Sequence, residues 1–192
     1  FRLLGDDRAT ILALVVGTLP AAVLGLTIKR LFPHLLESPL LAGAMLLVTA
    51  GMLLASRRLP VGDRDYRQLT LTAALAIGLF QAAALLPGIS RSGATIVAGL
   101  AVGLRRESAA TFAFLLAIPA ITGALVLELP DLAAASNTPP AWALAVSFTI
   151  CFFVGLAAIA WLVRWLEAGR LHYFAYWCAA AGAAVLTWQL MS

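Results

Sequence analysis

The sequence predicts an all-α integral membrane protein: five spanning helices plus one re-entrant helical hairpin, in a single polytopic domain over residues 1–192. Three observations lead there. Of the 192 residues, 62% are hydrophobic and 11% are charged, against roughly 45–50% and 25% in soluble domains. The apolar residues gather into runs long enough to cross a bilayer, and the basic residues gather between those runs. A soluble globule of mean hydropathy +0.98 would expose apolar patches far larger than soluble monomers carry. A soluble domain, a disordered chain and a disulfide scaffold are excluded.

A hydrocarbon core asks for about 20 apolar residues per helix. Uncharged runs at 9–28, 38–56, 108–127, 141–163 and 171–192 supply 20, 19, 20, 23 and 22 residues, and these are the five expected spans. The stretch between the second and third runs differs. Residues 68–90 are uncharged but end in Pro87-Gly88, and Arg91 follows. Residues 92–104 are uncharged for only 13 positions before Arg105-Arg106-Glu107. Thirteen helical residues reach about 20 Å, short of a core of about 30 Å. A hairpin over about 68–104, turning at 87–92 and returning to its own side, accounts for both limbs. Non-helical backbone at membrane depth is tolerated only where protein buries it or a wet cavity bathes it.

Charge placement agrees with the hairpin. With it, Arg2, Arg8, Arg57, Arg58, Arg64, Arg67, Arg105, Arg106, Arg164 and Arg170 share one side, ten of the thirteen basic residues. Lys29 and Arg30 fall opposite. The positive-inside rule makes the crowded side cytoplasmic. The loop 128–140 and the C-terminus are then periplasmic. The net charge of +4 serves orientation, so no nucleic-acid partner is expected and membrane lipid is.

The thirteenth cation, Arg91, is the only charge between Arg67 and Arg105. An Arg at membrane depth is costly and is a functional candidate by default. Its surroundings suit an anion. Pro87-Gly88 breaks the incoming helix. Ser90 or Ser92 can cap the outgoing one, whose free N–H groups and dipole then face the turn. Hydroxyls of Ser90, Ser92 and Thr95, backbone donors at Gly88 and Gly93, and the Arg91 guanidinium converge on geometry that suits phosphate. Simple capping also explains Ser92. Gln81, inside an apolar limb, could reach a ligand or a neighbouring helix. His34 and His172 read as interfacial. Cys151 and Cys178 read as small hydrophobes. No metal ligand set is visible, and all nine acids lie in loops or at helix ends.

The segment Phe80-Gln81-Ala82-Ala83-Ala84-Leu85-Leu86-Pro87-Gly88-Ile89-Ser90-Arg91-Ser92-Gly93-Ala94-Thr95-Ile96 closely resembles the second signature motif of the undecaprenyl-pyrophosphate phosphatase family, the bacitracin-resistance family. Phe112–Pro119 and Thr18–Gly25 resemble it too, and the likeness covers essentially the whole chain. The resemblance implies an inverted-repeat fold with two re-entrant hairpins in a bacterial inner membrane, opening to the periplasm. It implies hydrolysis of undecaprenyl pyrophosphate to recycle the wall-polymer carrier, and with it bacitracin resistance. By resemblance Arg91, Ser90 and Thr95 are catalytic, Gly88, Ser92, Gly93 and Gln81 bind substrate, and a divalent cation, Mg or Ca, takes part. The family's first motif, with paired glutamates, serines and a histidine, has no match here. The chain alone is therefore expected to be incomplete, its cation ligands elsewhere. Two alternatives are an undecaprenyl-phosphate flippase and a catalytically inactive fragment. Homo-oligomerisation is left open.

Overall fold

The computed structural model describes residues 8–60, 62–134 and 139–191; Arg2, placed above on the basic side, lies outside them. Among the described residues eight α-helices follow one another: α1 (Arg8–Leu31), α2 (Pro33–Leu36), α3 (Pro39–Ala55), α4 (Leu71–Ala83), α5 (Arg91–Ala101), α6 (Arg106–Ala134), α7 (Ala141–Glu167) and α8 (Tyr173–Met191). Five are long and apolar enough to cross a membrane: α1, α3 with its 3-10 extension to Arg58, α6 as far as Pro130, α7 and α8. These are the five expected runs. No strand occurs among the described residues.

Local chemistry explains the helix starts. Ser38, Thr70 and Ser90 precede α3, α4 and α5, and each hydroxyl accepts a first-turn N–H, from Leu41, Ala73 and Gly93 respectively. Such caps satisfy donors that the helix itself cannot. Helix α6 runs past Leu127, where its apolar run stops, and continues through Pro130 to Ala134. Apolar length reports what a bilayer accepts; a helix can continue into the aqueous layer. The one-turn helix α2 was not expected; it starts with a proline in its first position, where the missing N–H costs nothing.

Helix α1 packs on α4, α3 on α8, α4 on α5, and α5 on α6. Gly78 of α4 lies against the Gly17 carbonyl of α1, so closely that a Cβ there would overlap it. Small residues let helix backbones approach where lipid supplies no hydrophobic drive between helices. Helix α5 is buried from Gly93 to Leu100, enclosed by Ile77, Phe112 and Leu116, each at most 1% exposed. Helix α7 leans on α6 and leaves Trp142 and Phe148 more than 70% exposed, as a lipid-facing helix would.

The two short helices α4 and α5 form a hairpin closed at its base. Arg64 N–H donates to Gly103 O (3.3 Å) and Arg105 N–H donates to Arg64 O (3.0 Å). Arg105 also grips Asp65 at 2.7 Å, and Arg106 reaches the Glu167 carbonyl. Cationic residues thus crowd one end of the molecule. The Lys29–Glu128 ion pair (2.6 Å) joins the far ends of α1 and α6.

Candidate functional site

The hairpin tip is built to hold one residue, Arg91. Helix α4 ends in tight turns, with Leu85 N–H on Ala82 O and Leu86 N–H on Ala83 O. Gly88 then takes φ +93° and presses on α3, where a Cβ would overlap the Ala42 carbonyl. Only glycine adopts that conformation at little cost. Ser90 caps α5 through Gly93 N–H (3.2 Å). Arg91 is the first residue of α5, so its guanidinium shares the helix's positive end. Thr95 Oγ1 donates to Arg91 O (2.9 Å) and lies within reach of Ser92 O (3.3 Å).

A residue that sequence reasoning missed sets the register of this turn. Thr49, in the middle of α3, is fully buried. Its hydroxyl donates to Gly88 O (2.9 Å) and accepts Ser90 N–H (3.2 Å). One hydroxyl therefore satisfies both polar groups flanking Ile89. Its only signal in the sequence is that it is the sole polar side chain between Pro39 and Ala55.

Beside the turn lies a cavity of about 430 Å³, bounded by α1, α4, α5 and α6. Its walls are concave because facing strips are small: Ala21, Ala22 and Gly25 on α1, and Ala120, Gly123 and Ala124 on α6. A Cβ at Gly123 would meet nothing within 4 Å. Of the expected site residues, Arg91 and Gln81 line this cavity. Gln81 is 1% exposed, and neither its Nε2 nor its Oε1 has a protein partner. Buried amides are nearly always bonded to protein or water, so an unpartnered one on a cavity wall leaves a polar position open to a water or a ligand atom. Arg91 has no ion pair among the described residues.

The remaining expected residues stand around the cavity rather than in its wall. Ser90 and Ser92 are half-buried at the turn. Thr95 is 1% exposed, and its proton is committed to the backbone of Arg91. Gly93 gives its N–H to the cap, and Gly88 faces α3. The cavity runs toward Leu26, Val126 and Leu127, next to the Lys29–Glu128 pair and away from the basic end. Its polar groups are hydroxyls, one amide and one guanidinium, which do not fit a divalent cation. No group of three His, Cys, Asp or Glu side chains converges among the described residues.

Comparison with known proteins covers nearly the whole chain. The model of the family described as bacitracin resistance protein BacA matches residues 4–184. An undecaprenyl-diphosphatase from Rhodopirellula baltica is 52% identical over 190 residues, 98% of this chain and 74% of that protein. Those of Desulfatibacillum aliphaticivorans and Korarchaeum cryptofilum are each 42% identical over 94% of this chain, which spans 65% and 67% of their lengths. With a family match across nearly its whole length, the chain belongs to the bacitracin resistance protein BacA family.

Proposed function

We propose that the protein hydrolyses undecaprenyl diphosphate to undecaprenyl phosphate and inorganic phosphate, recycling a wall-polymer carrier in the bacterial inner membrane and so conferring bacitracin resistance. The relatives' activity motivates the substrate. The observation that carries the chemistry is the cavity shared by Arg91, at a helix N-terminus and without an ion pair among the described residues, and the unpartnered Gln81 amide.

In hydrolysis a water oxygen bonds to the terminal phosphorus as the bridging P–O bond breaks; undecaprenyl phosphate departs with that bond's electron pair on its oxygen, and the water's proton is released with the inorganic phosphate formed. The planar Arg91 fork grips two phosphate oxygens at once. Its full charge and the α5 dipole stabilise oxygens whose charge grows in the transition state. Gln81 donates its NH2 to a further oxygen. Thr95 and Thr49 hold the backbone on either side of Arg91 and act on substrate only through it. The small-residue walls of α1 and α6 suit an apolar chain following the diphosphate into the cavity. A divalent cation, if it takes part, is held by groups other than these.

The hairpin is proposed to enter the membrane from the basic, cytoplasmic end and return there. The cavity then opens to the periplasm, since its far walls approach the opposite end. Release of inorganic phosphate from undecaprenyl diphosphate by the purified full-length protein tests the function. Turnover is expected; lipid binding or translocation without release would refute the hydrolase reading.

A further inference from the structure

At the basic end, on the far side of the molecule from the Lys29–Glu128 pair, lies a second cavity of about 260 Å³. Three stretches line its mouth: the 3-10 turn after α3 supplies Arg57, the start of α6 supplies Arg106, and the link between α7 and α8 supplies Gly169 and His172. Its floor includes Leu166 and Leu171, at 1% and 5% exposure. We infer that this cavity binds a phosphate oxyanion, of the kind an anionic phospholipid headgroup presents, apart from the Arg91 cavity and from any turnover there.

Charge accounting points to an anion. No carboxylate lines the cavity. Of the acids at this end, Asp63 is not among the residues lining the cavity, Asp65 is bound to Arg105 at 2.7 Å and Glu107 also faces Arg105, at 3.9 Å. Glu167 offers Arg106 only its backbone carbonyl, at 3.4 Å. That single long bond leaves most of the Arg106 fork unused. The Arg57 guanidinium has no partner at all among the described residues. His172 places Nδ1 at 3.1 Å from Gly169 O, leaving Nε2 for another partner.

The backbone makes room for these cations. Gly169 has φ +71°, and a Cβ there would stand 3.3 Å from Arg106 Nη2. A side chain would be strained in that conformation and would crowd the guanidinium. Two guanidiniums over a buried leucine floor match a headgroup: the forks take phosphate oxygens bidentately. Basic pockets between helices on the cytoplasmic side are suited to anionic lipid headgroups.

The test uses full-length protein in a neutral detergent, titrated with phosphatidylglycerol, with phosphatidylcholine or with inorganic phosphate. The thermal midpoint reports occupancy by linkage. Phosphatidylglycerol is expected to raise the midpoint and phosphatidylcholine is not. Arg57→Gln should weaken the apparent affinity about ten-fold, the effect expected from losing one charge-assisted contact. Arg58→Gln removes the same charge one residue away, outside the cavity, and should leave the affinity nearly unchanged. Arg57 makes no bond among the described residues, so its loss should not unfold the protein. A response to inorganic phosphate alone with the same variant pattern would assign the site to the free ion. No response in the wild type, or equal loss from both variants, would overturn the inference.

Discussion

Gln81 buries an amide with no protein partner on the wall of a cavity, an arrangement that stability alone disfavours. An unsatisfied buried polar group costs about 1–3 kcal/mol. Gln81→Leu, close in volume, should therefore raise the thermal midpoint of the full-length protein while raising KM for undecaprenyl diphosphate several-fold. A variant that is no more stable and equally active would remove Gln81 from the site. Thr49 differs: its hydroxyl has two partners, and neither belongs to the cavity. Thr49→Val keeps the shape and loses both bonds, so Gly88 O and Ser90 N–H are left without them. At matched abundance kcat should fall at least ten-fold, the consequence of a small misplacement of Arg91. Thr49→Ser should restore most of it, since Ser supplies the same donor and acceptor. Equal losses in Val and Ser would mean that Thr49 only fills space.

The hairpin of α4 and α5 depends on Gly88 and the cavity depends on Gly123, and substitution separates their roles. Gly88→Ala forces φ +93° on a residue with a Cβ, at roughly 1–2 kcal/mol, and drives that Cβ into the Ala42 carbonyl. Loss of folded protein from membranes is the expected outcome, measured by detergent-extracted abundance. Gly123 faces open space, so Gly123→Phe should fold normally and obstruct the cavity, with activity lost at unchanged abundance. Activity retained in Gly123→Phe would place the substrate elsewhere. The elements themselves were largely legible in the sequence. Five apolar runs became the five long helices because bilayer thickness dictates their length. Pro87-Gly88 and the 13-residue second limb announced a short hairpin because glycine and proline act locally. The cavity was not legible, since it arises where small residues of α1 meet those of α6 about 100 positions away, and no local pattern encodes that meeting. The Thr49 bonds were hidden for the same reason. Of the seven expected site residues, Arg91 and Gln81 proved to share a wall, while Gly88, Gly93 and Thr95 turned out to shape the turn that presents Arg91.

Across the whole molecule, most of the basic residues gather at one end, and the cavity approaches the other. Cysteines substituted singly at Arg64, Glu107 and Glu128 should therefore report two compartments. Positions 64 and 107 are expected to label from the cytoplasm and position 128 from the periplasm. Labelling of 64 and 107 from opposite sides would mean that the α4–α5 segment crosses instead of returning. The central claim is that Arg91 holds the scissile diphosphate, and phosphate release from undecaprenyl diphosphate by full-length wild type, Arg91→Ala and Arg91→Lys, compared at matched membrane abundance, tests it most directly. Loss of one transition-state contact of this kind costs on the order of 10²–10³-fold in rate, and Lys should recover little because it keeps the charge but not the planar fork. The expected result is near-abolished release in Arg91→Ala and poor rescue in Arg91→Lys; an Arg91→Ala protein that inserts normally and keeps most of its rate would contradict the account.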